Sequence, residues 1–143
     1  MTETIIIIII LIVSIVIYSI IKNNVTEDNL KDINNKRPIL SRLEYIEIFE
    51  KKGFDRSHIE VVYDEIKKFL SIKNFSMYPE DDLHKQYGIN DLDDVEIIHS
   101  IFKKLNVRLI SEKEIKVINE KFDYFSVEYI LTALQIVANN DTI

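Results

Sequence analysis

Apolar side chains occur in this chain in two different ways: one unbroken run near the start, then several short stretches with helical spacing. Residues 5–21 are almost wholly aliphatic, interrupted only by Ser14, Tyr18 and Ser19, and carry no charge. The run meets the lower end of the roughly 17–25 residues that cross a hydrocarbon core. A buried strand is usually only about 5–6 residues long, and a cleaved signal peptide calls for a basic start and small residues at its cleavage point. Here the only side-chain charge before the run is Glu3, and bulky Tyr18, Ile20 and Ile21 close it. The expectation is an uncleaved transmembrane anchor over residues 1–22, meeting the lipid bilayer through residues 5–21.

Residues 23–40 turn polar and lack the apolar period of a packed helix, so they read as a linker, with a short helical segment allowed at 26–33. Lys22, Lys31, Lys36, Arg37 and Arg42 follow the apolar run and no Lys or Arg precedes it, which places the C-terminal part in the cytoplasm by the positive-inside rule.

Beyond the linker, helix starts are marked by capping boxes, in which a Ser oxygen and a Glu carboxylate satisfy each other's backbone N–H groups. Ser41 and Glu44 open an additional helix within residues 41–56, carrying Leu43, Ile46 and Phe49 inward and stopping before Gly53. Ser57 and Glu60 repeat the spacing, with Ile59, Val62, Ile66, Phe69 and Leu70 as the apolar stripe of a helix ending near Ile72. A long connection follows to residue 87, with Leu83 and Tyr87 expected in the core. Asn90 is a good N-cap, and Asp91, Asp93, Asp94 and Glu96 place negative charge at the positive end of the helix dipole. Leu92, Val95, Ile98, Ile101, Phe102 and Leu105 are the core-facing stripe of that helix. Ser111 and Glu114 then open a small helix at 112–118, although residues 106–110 also alternate as a strand would. Ser126 caps a last helix with Val127, Ile130, Leu131, Leu134 and Val137 inward.

Composition narrows the choice further. Two glycines and two prolines in 143 residues favour helices with short connections, and the absence of cysteine removes disulfides and thiolate metal sites. A formal net charge of −6 disfavours nucleic acid as a partner. No Gly-rich phosphate loop, HExxH or Ser–His pairing in motif form occurs, so no catalytic residue is assigned and the chain reads as a non-enzyme. His84 lies beside Glu80, Asp81 and Asp82, but loop neighbours without a second His fall short of a metal site. Asp93 and Asp94 are adjacent on a helix and point apart.

The stretch Gly88-Ile89-Asn90-Asp91-Leu92-Asp93-Asp94-Val95-Glu96 resembles the start of the second helix of acyl carrier proteins, written Leu-Gly-x-Asp-Ser-Leu-Asp-x-Val-Glu. Ser126-Val127-Glu128 is similar to the Thr-Val-Gln that starts the final carrier helix, and helix order agrees over roughly residues 57–138. The form is most similar to an uncharacterised bacterial acyl-carrier-like family, domain of unknown function 1493. The resemblance implies an all-α, acyl-carrier-like small bundle over residues 57–143, preceded by the transmembrane helix and one extra helix. Asp91 stands where carriers have the serine that holds phosphopantetheine, and a carboxylate cannot form that ester. No cofactor is therefore expected, and Ser100, in mid-helix, is a poor substitute. In carriers this helix is the face that partner enzymes read. The resemblance thus implies docking of a basic protein surface through Asp91, Asp94 and Glu96. The alternatives are a genuine carrier with a displaced attachment site, or a small acidic immunity- or inhibitor-type protein.

Overall fold

Where water cannot reach the backbone, a helix satisfies its amides within one segment, so even a β-branched Ile run becomes helical in lipid. In the computed structural model, residues 5–21 lie in helix α1 (Thr2–Lys36). The described residues are 2–70, 72 and 74–140, and the side chains of residues 2, 3, 23–25 and 91 lie outside that description. α1 is long and apolar enough to cross a membrane, and none of its apolar window is buried by the protein. The Ser14 hydroxyl donates to the Ile10 carbonyl at 2.8 Å, which removes a bare polar group from the apolar surface.

The stretch expected as a polar linker is instead the second half of the same helix. Glu27–Lys31 at 2.7 Å and Asp32–Lys36 at 2.6 Å pair acid before base at a four-residue step, the favoured order on a helix surface. Leu30 is buried and Ile33 packs beside it, so the polar half has a narrow core-facing edge. Pro38, two residues past the end, does not permit Arg37 an easy helical conformation.

Five further helices make up the bundle among the described residues: α2 (Arg42–Lys51), α3 (Arg56–Phe69), α4 (Asp91–Lys104), α5 (Glu112–Asn119) and α6 (Val127–Asn140). No strand occurs among those residues, so the alternation at 106–110 is a connection. α3 is central and packs against α2, α4 and α6, with α5 laid on α6. The helix near Arg42 is thus part of the bundle, through Tyr45, Ile46 and Phe49.

The Ser41 and Ser111 capping boxes are formed as expected. Ser57 is not a cap. Asp55 is the N-cap of α3, its side chain accepting from the Ser57 and His58 amides, and the helix stops at Phe69 rather than near Ile72. Leu43, expected inward, is exposed, and Tyr45 fills the core in its place. On α4 the buried positions are Ile97, Ile101 and Phe102, while Leu92 and Val95 point to solvent. The buried stripe of α4 therefore begins one turn later than the spacing indicates. On α6 every expected inward residue is buried.

The described residues between 70 and 90 hold no regular element, yet Phe75, Met77, Leu83, Tyr87 and Ile89 are core residues. The connection is pinned by the Leu83 amide donating to the Phe125 carbonyl at 2.9 Å. Gly88, at φ +70°, touches α1: a Cβ there would come within 2.6 Å of Thr26 Cγ2.

Candidate functional site

The start of α4 is built by reciprocal capping. Asn90 Oδ1 accepts from the amides of Leu92 (2.9 Å) and Asp93 (3.2 Å), and Asp93 Oδ2 accepts from the Asn90 side-chain amide at 2.6 Å. This fixes the direction in which the first turn leaves the body of the protein. Leu92 is 82% exposed and Val95 68% exposed, with Glu96 exposed beside them. Two large aliphatic side chains one turn apart in water, next to a carboxylate, make a small mixed apolar and acidic patch.

The three acids singled out from the sequence stand in different settings. Glu96 is exposed. Asp94 is largely covered, its Oδ2 lying 2.5 Å from His84 Nε2, and the His84 ring stacks on Phe125 at 5.3 Å. Asp91 is the first residue of α4, and its side chain lies outside the described residues. The acids near His84 in sequence are turned elsewhere. Asp81 faces Arg37, while Asp82 Oδ1 accepts the amides of His84 and Lys85. No group of three His, Cys, Asp or Glu that could hold a metal occurs among the described residues.

Two polar clusters behind the patch have no motif in the sequence. In the first, Arg37 gives a two-pronged bond to Asp81, at 2.8 and 2.9 Å, and also donates to the Ser76 carbonyl. Its guanidinium stacks between Phe75 and Tyr78, 4.8 and 4.5 Å from the ring centres. Tyr87 donates to Asp81 at 2.5 Å, and Asn34 Oδ1 accepts the Ser76 amide at 2.8 Å. Burial, and then the Asp81 charge, push the Tyr87 hydroxyl far above the usual phenol range. The end of α1 is thereby locked to the long connection that leads into α4.

In the second cluster, Glu65 of α3 is buried between Lys104, Lys68 and Ser100. Burial alone would raise its carboxyl, but the bonds from Lys104, Lys68 and Ser100 outweigh it and hold the group at about 2. The Ser100 hydroxyl is half-buried and donates to Glu65 at 2.7 Å, so it ties α4 to α3 rather than facing outward.

Only faint traces of the first cluster are legible in the sequence: Leu30, Ile33 and Arg37 recur at helical spacing, offset from the charge pairs. Glu65 reads there as one more surface acid.

No family model matches the chain, and no curated protein and no solved structure matches it.

Proposed function

We propose that the chain is a single-pass, membrane-anchored interaction module without enzymatic activity, whose acyl-carrier-like bundle docks a basic protein surface through the start of α4. The observation that carries this reading is the exposure of Leu92 and Val95 beside Glu96 on a turn that capping holds rigid. Apolar contacts supply affinity in such a patch, and the carboxylates supply orientation and rate of encounter. The resemblance over residues 88–96 assigns the same face to partner recognition, and the order α3, α4, α5, α6 is compatible with a carrier bundle. Glu96 is the exposed acid of the docking face, and the resemblance assigns Asp91 to the same role. Asp94, held by His84, acts by fixing the turn. With Asp91 in the serine's place and Ser100 bonded to Glu65, the module bears no phosphopantetheine. The excess of Lys and Arg after the apolar run supports a cytoplasmic bundle.

Photo-crosslinking residues placed at 92 and 95 in the intact, membrane-inserted chain test the reading, with position 109 on an exposed part of another face as the control. The expected result is a protein adduct from 92 and 95 but not 109, weakened by salt and by Glu96→Lys. Equal labelling from 109, or adducts to lipid alone, would contradict it. Incubation with a phosphopantetheinyl transferase should leave the intact mass unchanged, and a gain of the arm would establish a genuine carrier.

A further inference from the structure

A groove of about 620 Å³ lies between the last turns of the apolar run and the bundle. One wall is a single face of α1, Ser19, Lys22 and Thr26, and the other is formed by Phe69 at the end of α3 and by Asn90 and Asp93 at the start of α4. The close approach of Thr26 to Gly88 forms its floor.

Its depth along α1 is informative. Thr26 lies five residues beyond Ile21, the last apolar residue of the run. At the helical rise of 1.5 Å this is about 7 Å beyond the hydrocarbon edge, comparable to the roughly 5–7 Å headgroup layer of one leaflet. Ser19 lies inside the apolar run and Thr26 beyond it, so with α1 across the bilayer the residues lining the groove straddle the boundary between the acyl chains and the headgroups.

The charges sort in the same way. Glu27 and Lys68 also line the groove, but each is engaged, Glu27 by Lys31 at 2.7 Å and Lys68 by Glu65 at 2.6 Å. Lys22 and Asp93 remain. Neither has an ion-pair partner among the described residues, and Asp93 is hydrogen-bonded only to the neutral Asn90. An unpaired cation and an unpaired anion facing one groove at headgroup depth complement a ligand that carries both charges a few bonds apart.

We infer that this groove binds the phosphoethanolamine headgroup of a membrane lipid, with Lys22 on the phosphate and Asp93 on the primary ammonium. A primary ammonium can donate to the Asp93 carboxylate, which a quaternary choline cannot do, and a headgroup without an ammonium, such as that of phosphatidylglycerol, leaves Asp93 unpaired. The inference rests on α1 spanning the bilayer, but it does not require a protein partner at Leu92 and Val95.

The intact chain is reconstituted in nanodiscs holding equal amounts of phosphatidylethanolamine, phosphatidylcholine and phosphatidylglycerol, and the lipids retained on detergent release are counted by native mass spectrometry. The expected result is enrichment of phosphatidylethanolamine over the other two by about threefold, the scale of a solvent-exposed ion pair. Lys22→Gln should lower retention of both phosphatidylethanolamine and phosphatidylcholine. Asp93→Asn, which keeps a capping oxygen, should remove the preference for phosphatidylethanolamine while phosphatidylcholine retention stays. Equal retention of all three lipids by the wild-type chain, or a preference unchanged in both variants, overturns the inference. Alkaline carbonate extraction of the same sample separates the two readings. A chain released from the membrane contradicts the spanning reading of α1, whereas a retained chain without the preference contradicts the headgroup site alone.

Discussion

In residues 5–21 of α1 every side chain is exposed, and none of this apolar stretch is buried by the rest of the protein. A few turns later, Thr26 lies against Gly88, Leu30 is sealed in the core, and Asn34 and Arg37 reach the connection before α4. The first half of the rod therefore has no tertiary support of its own, whereas the second is held by tertiary contacts. Because no break separates them, the direction of the apolar half is carried to the start of α4 through packed side chains rather than lost in a flexible tether.

The largest effect should come from breaking the Arg37–Asp81 bond. Arg37→Ala leaves a buried carboxylate without its cation, which costs about 3–5 kcal/mol, and thermal unfolding followed by tyrosine near-ultraviolet circular dichroism should show it. Leu30→Ala should cost about 2–4 kcal/mol as a buried large-to-small change. Ile12→Ala, on the membrane half of the same helix, should leave the bundle's unfolding midpoint unchanged. Equal effects at positions 30 and 12 would remove the distinction between the halves.

Gly88→Ala should cost about 1–2 kcal/mol, combining strain at positive φ with the collision against Thr26. Pairing it with Thr26→Ala should restore part of that loss in denaturant titrations, because only the collision is relieved. Acid should affect the two regions differently. Glu65 is held low by its partners in the folded bundle, so its contribution is fully present above an unfolded value near 4.5 and is lost as pH falls toward about 2. Glu65→Gln should flatten this part of the stability profile, while α1 in lipid stays helical throughout.

The helical class, the apolar run, the Ser41 and Ser111 caps and the inward face of α6 can be read from the sequence because each is a local signal: a cap three residues from its partner, or a stripe with one period. The continuity of α1 is less legible. Its second half sets only Leu30 and Ile33 against the core, and it is held by contacts with residues 76–88, far away in the chain. The same cause moved Leu92 and Val95 from expected core to surface. Periodicity identifies which residues share a face, but tertiary packing decides where along that face burial begins. In the candidate site, the Asn90 cap was legible from its own side chain. The engagement of Asp94 by His84 was not, since the two lie ten positions apart, across the end of the irregular connection and the first turn of α4.

The central claim, that one unbroken helix holds the bundle in a fixed pose at the bilayer, can be tested by a single distance measurement. The chain has no cysteine, so spin labels at Tyr18→Cys and Leu109→Cys, both exposed positions, report without background. In lipid, pulsed dipolar spectroscopy should give one narrow distance distribution that broadens when Arg37→Ala is added. A broad distribution in the labelled chain without that change would contradict the account.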